Sequence, residues 1–205
     1  VLVDDHAFEA ISAYGTYLKD FAKTPAIDRL AGEGMRFDNF TCANSICSPS
    51  RASILTGQYS HKNGVLGLNG SINDDSPQYP VELRKAGYQT WLVGKWHLRS
   101  QPKGYDKHMV VKGQGKYFDP TFTGSEGTWQ RKGYSTDVYT DVAMDWLKKR
   151  DKKKPFLLSL QFKVPHHDYG HASRYDELLA GEPIPEPPSL YEAVRNCDSN
   201  LKKEF

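Results

Sequence analysis

Three short apolar runs in this chain each end abruptly in reactive polar residues, and nothing else limits its possible folds so strongly. Val1-Leu2-Val3 runs into Asp4, Asp5 and His6. Thr90-Trp91-Leu92-Val93 runs into Gly94, Lys95, Trp96 and His97, and residues 156–162 run into Lys163, Pro165, His166 and His167. Continuous apolar runs of this length suit strands covered on both faces, as in a parallel sheet. Helix signals separate them. Thr24 followed by Pro25 opens one helix, with Ile27, Leu30 and Ala31 on one face and Gly34 closing it. Ser48 with Pro49 opens a second, which passes through Arg51, Ile54 and Leu55 to Gly57. Residues 80–86, stopped by Gly87, make a third. Ser135 starts a fourth, with Val138, Val142, Trp146 and Leu147 along one face. Lys148, Lys149 and Arg150 close it, where cations suit the negative end of the helix dipole. Strands alternating with helices predict an α/β fold: a largely parallel sheet flanked by helices. Segment 100–134, rich in Gly, Lys and aromatics, reads as loop or small hairpin. Residues 181–190, with Pro183, Pro185, Pro187 and Pro188, read as an extended surface connection.

Composition removes several function classes. The 4 Trp, 12 Tyr and 9 Phe are more than a disordered chain carries. A formal net charge of +2 gives no global basic field, so nucleic acid is not an expected partner. No run of about 18 apolar residues occurs, so no stretch has the length of a membrane-spanning helix. The cysteines Cys42, Cys47 and Cys197 form neither a disulfide framework nor a zinc spacing. Val1 reads as the middle of a strand and the last residues as a charged segment without a stop signal. The chain is therefore expected to be a piece of a longer protein.

The chemistry is expected where the three strands end, because ligands of open α/β sheets bind beyond the carboxyl ends of the strands. Asp4 and Asp5 offer hard oxygen ligands suited to Ca²⁺ or Mg²⁺, although one Asp pair also serves as a turn or cap. Lys95 and His97 add a cation and a proton carrier, and His166 and His167 add further donors. Cys47 stands at a helix start, where backbone N–H groups favour anions and activate a thiolate; a structural cysteine is the competing reading. Arg51, one turn on, is placed to reach an anion or oxygen at Cys47. His6 is read as a supporting or structural group, and His61 and His108 as surface or local hydrogen-bonding groups. The run Lys148–Lys154 is read as a solvated helix end. Cys42 is expected to pack as a small hydrophobe, and Cys197 carries no reading.

C-S-P-S-R at 47–51, followed by A-S-I-L-T-G at 52–57, resembles the signature of type I, formylglycine-dependent sulfatases of the alkaline-phosphatase-like superfamily. V-D-D-H at 3–6, T-P-A-I-D-R-L-A at 24–31, G-K-W-H at 94–97 and V-P-H at 164–166 match further family motifs in the family's order. The resemblance implies that Cys47 is converted to formylglycine by a formylglycine-generating enzyme. It also implies that Asp4 and Asp5, with the modified Cys47, bind a divalent metal, Ca²⁺ with Mg²⁺ as the alternative. Arg51 then corresponds to the residue holding the formylglycine hydroxyl. Lys95, His97 and His166 correspond to the groups that bind sulfate and handle protons. The remaining metal ligands and a second sulfate-binding Lys would lie beyond residue 205, so residues 1–205 are expected to be part of an N-terminal catalytic domain. P-K-G-Y-D-K at 102–107 and G-Q-G-K-Y-F-D-P at 113–120 resemble bacterial sulfatases acting on sulfated polysaccharides. Tyr105, Tyr117, Phe118 and Trp129 are then either sugar-stacking rings or ordinary packing. The implied function is a sulfuric ester hydrolase acting on a sulfated carbohydrate, in the periplasm or outside the cell. A phosphonate or phosphate ester hydrolase of the same superfamily, or a non-catalytic sulfated-glycan-binding homologue, are the alternatives.

Overall fold

A computed structural model describes residues 1–187 and 189–190. Cys197 and Pro188 lie outside the described residues. In chain order the elements are α1 (Pro25–Glu33), α2 (Cys47–Thr56), α3 (Ser60–Asn63), α4 (Tyr79–Lys85), β1 (Gln89–Lys95) and β2 (Lys107–Val111). β3 (Thr121–Gly124), β4 (Gly127–Gln130), α5 (Ser135–Lys149) and β5 (Phe156–Gln161) follow. Two compact units form: Val1–His6 with Asp38–Leu178, and Ala7–Phe37 with the described residues that follow Leu178.

The larger unit holds a five-stranded sheet of order β4-β3-β2-β1-β5. β1 pairs in parallel with both β2 and β5, whereas β2, β3 and β4 are joined antiparallel. The sheet is thus mixed α/β, parallel at its centre. Segment 100–134 supplies the β3–β4 hairpin, as the glycines suggested, but also the parallel strand β2. That strand was hidden because Lys107 and His108 interrupt its apolar run and mask its periodicity. Val1-Leu2-Val3 forms only a bridge to β5, through Leu2 N to the Leu160 carbonyl (2.8 Å) and Phe162 N to the Leu2 carbonyl (2.8 Å).

Side chains alternate across a strand, so β1 feeds a core on each face. Trp91 and Val93 join Met109, Val111, Phe122 and the Val138, Tyr139, Val142 and Ala143 face of α5. Leu92 joins Ala52 and Leu55 of α2, with Val65, Ile72, Trp96 and Tyr105. α1 starts at Pro25 after Thr24 as expected, whereas the predicted start of α2 needs correction. Ile46, not Ser48, precedes α2, and Ser48 is buried inside it, donating to the His97 carbonyl at 2.6 Å. Thr24 precedes α1 without bonding its N–H groups; its hydroxyl donates to Asp28 at 3.0 Å, and Ser12 donates to the same carboxylate at 2.6 Å. The Ile27 and Leu30 face of α1 is exposed rather than buried. No helix among the described residues is long and apolar enough to cross a membrane.

Candidate active site

The carboxyl ends of β1 and β5 and the bridge at Leu2 meet at one place because Gly94 pairs with Gln161 and Leu2 bridges to the same Gln161. Asp4, Lys95 and Gln161 therefore emerge side by side. Gly94 has φ 109°, and a Cβ there would collide with the Gln161 carbonyl, so the approach of the two strands requires glycine. α2 packs against this end and brings Cys47 and Arg51.

Asp4 is buried between two buried cations. Lys95 Nζ donates to its Oδ2, and an Arg51 Nη lies 3.3 Å from its Oδ1. Burial alone would raise the Asp4 pKa, but Lys95 and Arg51 together hold it below the ordinary carboxylate value. Asp4 is therefore an anion at neutral pH. Lys95 Nζ also donates to Gln114 Oε1 and lies 3.9 Å from Cys47 Sγ. Arg51 donates to the Lys95 carbonyl and, at 2.8 Å, to Gln161 Oε1. Burial pulls the Arg51 pKa down and Asp4 opposes that pull. The hydrogen bonds and ion pair of Arg51 go to Asp4, Gln161 and the Lys95 backbone, and its buried Nε has no hydrogen-bond partner among the described residues.

His166 is buried and His167 exposed, which separates the two adjacent candidates. The His167 carbonyl lies 3.2 Å from His166 Nδ1 and only accepts, so Nδ1 carries the proton and Nε2 faces Asp5 Oδ2 at 3.6 Å. Tyr117 OH donates to the His166 carbonyl and fixes that turn. Donor atoms of Asp4, Cys47 and His166 all lie within 4.8 Å of one another. Asp5, in left-handed backbone (φ 60°) and exposed, stands beside His166 outside that tight group. His97 is held neutral, its pKa lowered to about 4 by burial and then by the charges of Lys95 and Arg51.

The tight group offers one ionised carboxylate, one thiol and one imidazole, and a hard divalent cation would need the oxygens of the neighbouring Asp5 as well. Sequence reasoning missed Gln114 and Gln161, the neutral acceptors that orient Lys95 and Arg51. Gln161 sits at the end of an apolar strand, a place where a buried amide calls for a charged donor. Lys163 is buried with its Nζ 4.8 Å over the Tyr117 ring. Tyr105 and Tyr117 are buried and pack, Tyr105 with its hydroxyl 3.1 Å from Ser159 Oγ, so neither presents a ring to a sugar. Cys42 is exposed, with Sγ 3.1 Å from Ser50 Oγ, rather than packed in a core. His108 is partly buried, and that burial lowers its pKa.

A profile of the Sulfatase family matches residues 1–202. This chain belongs to the sulfatase family. It is 42% identical over 195 residues to the N-acetylglucosamine-6-O-sulfatase of Bacteroides thetaiotaomicron, covering 94% of this chain and 34% of that protein. It is 31% identical over 204 residues to human N-acetylgalactosamine-6-sulfatase, covering 81% of this chain and 38% of that one. A solved structure of a protein in complex with its substrate D-glucosamine-2-N,6-O-disulfate superposes with a TM-score of 0.88 at 42% identity. The match covers 93% of this chain and 38% of that one. The sulfatase chain described here thus spans about a third of the length of the curated relatives it matches.

Proposed function

We propose that the protein carrying this sequence is a sulfatase that hydrolyses a sulfate ester of a carbohydrate, with a 6-O-sulfated glucosamine-type sugar as the first substrate to try. The observation that carries the reading is the meeting of Cys47, Asp4 and His166 within 4.8 Å, with Lys95 3.9 Å from the thiol. The names of the relatives support the sugar.

Oxidised by a formylglycine-generating enzyme, Cys47 would supply a hydrated aldehyde whose hydroxyl is the nucleophile on sulfur. Asp4 and Asp5 would hold Ca²⁺, or Mg²⁺, whose charge offsets that of the sulfuryl oxygens. The chain's own groups complete the work. Lys95 is aimed between Asp4 and Cys47 and donates to a sulfuryl oxygen, where a fixed cation in a buried site stabilises developing charge. Arg51 pairs with Asp4 and Gln161 and so holds the carboxylate in place, while its Nε has no hydrogen-bond partner among the described residues. Neutral His97 is able to accept the proton of the attacking hydroxyl. His166, with Nδ1–H held by the His167 carbonyl, would act as the imidazolium: Nε2–H gives its proton to the departing sugar oxygen and leaves the neutral Nδ1–H ring. The family resemblance supports export to the periplasm or cell exterior, which fractionation tests.

The decisive experiment starts with peptide mass spectrometry of the protein made in a host with the formylglycine-generating enzyme. The Cys47 peptide should weigh about 18 Da less than the thiol form. Sulfate release from 6-sulfated N-acetylglucosamine should then be abolished by Cys47→Ala with the melting transition retained. Unmodified Cys47 in a competent host, or full activity of the variant, refutes the mechanism. Faster turnover of phosphate or phosphonate esters would reassign the substrate class.

A further inference from the structure

A groove of about 670 Å³ opens at the carboxyl ends of β1 and β2 and shares His97 as a wall with the site described above. Asn69, Trp96, Arg99, Gln101 and Lys112 line it further, and no Asp or Glu does. Trp96 is buried beneath it, whereas Arg99 and Lys112 are exposed. Among the described residues neither cation meets a carboxylate. Some exposed cations of the same unit do meet one, as Lys103 does Asp74 (2.7 Å), Lys107 Glu126 (2.7 Å) and Arg174 Asp137 (2.7 Å), whereas Lys62 and Arg131 do not. What distinguishes Arg99 and Lys112 is their place on a groove that shares a wall with the site. Arg99 is nonetheless fixed, because its Nη2 donates to Asn69 Oδ1 at 2.8 Å.

Two cations without a counter-charge, one of them held in place, beside a site that itself consumes one sulfate group, call for a second anion on the same ligand. We propose that this groove is a subsite for the sugar next to the one carrying the scissile sulfate, and that Arg99 and Lys112 select a neighbour bearing an anionic group. This rests on the sulfatase reading and extends it: the substrate is an oligosaccharide with charge on adjacent sugars. A uronate carboxylate and a second sulfate are the two sources of that charge. Arg99 matches either through parallel N–H donors, and Lys112 adds a point charge.

The test compares disaccharides in which 6-sulfated N-acetylglucosamine is joined to a neutral hexose, a uronate or a sulfated hexose. For the wild-type protein, kcat/KM should be about tenfold higher with a charged neighbour than with the neutral one, carried mainly by KM. Whether the uronate or the sulfated disaccharide shows the preference identifies the anion, and either supports the subsite. The preference should collapse towards unity in Arg99→Ala/Lys112→Ala. It should also shrink in the wild-type protein as NaCl rises from 0.05 to about 0.5 M, a readout that needs no variant. No preference, or a preference the double variant and salt leave intact, overturns the proposal. If the wild-type protein releases sulfate from no substrate, the hydrolase reading fails by itself. Calorimetric affinities for the same disaccharides then decide the groove by the same comparison.

Discussion

Arg51→Leu puts the buried charge cluster to its hardest test. The guanidinium is buried and serves three acceptors: Asp4 at 3.3 Å, Gln161 Oε1 at 2.8 Å and the Lys95 carbonyl. Removing one partner of a buried ion pair costs about 3–5 kcal/mol, because the other charge is left in a poor solvent. Here Asp4 keeps Lys95, which places the loss near the lower end, about 3 kcal/mol. For a domain of this size that corresponds to a fall in Tm of about 6–12 °C. Urea unfolding in EDTA, followed by tryptophan fluorescence, measures it without a contribution from bound metal; Trp91 and Trp96 are both buried reporters. Gln161→Leu alone should cost about 1–3 kcal/mol by leaving a guanidinium N–H without its acceptor. The double variant should lose less than the two single losses added together, by at least about 1 kcal/mol. A loss below about 1 kcal/mol for Arg51→Leu, or additivity within about 0.5 kcal/mol, would refute the interdependence of the cluster.

Three further outcomes are expected. Gly94→Ala should destabilise the fold by about 1–3 kcal/mol, because left-handed strain at φ 109° adds to the collision with the Gln161 carbonyl; a wild-type melting curve would contradict it. Phe122→Ala, at a position with 0% exposure between the sheet and Tyr139, should cost about 3–5 kcal/mol in urea unfolding. Burial holds His108 below its ordinary value of 6.5, so the unfolded chain binds more protons than the folded one just below that pH. Stability should therefore fall as pH drops below about 6.5, and His108→Gln should flatten that part of the stability–pH curve. An unchanged slope in the variant would remove His108 as the cause.

Much of the site was written locally. The Cys47–Arg51 motif, the polar residues after each apolar run and the α5 periodicity are properties of neighbours in sequence; the motif opens α2, and the polar groups follow β1, β5 and the Leu2 bridge. β2 was missed because Lys107 and His108 break its run, so its strand character rests on pairing with Trp91 and Leu92 across the sheet. The Ser48 hydroxyl was read as a helix cap because Ser before Pro commonly is one; the carbonyl it bonds, on His97, is 49 residues away. Tyr105 and Tyr117 illustrate the same limit, since an aromatic residue in a glycine-rich loop reads identically whether it packs or faces solvent.

The sequence by itself determined the alternation of strands and helices and the chemical kinds of group at their ends, because periodicity, capping and motif spacing act over a few residues. The tertiary structure alone decided which charges neutralise which. The parallel register that sets Gly94 against Gln161 and brings Leu2 beside the same strand also puts Asp4 between Lys95 and Arg51. No local pattern encodes that meeting, because Asp4 lies 47 positions from Arg51 and 91 from Lys95, and the energy of the meeting exists only once water has been excluded from between them.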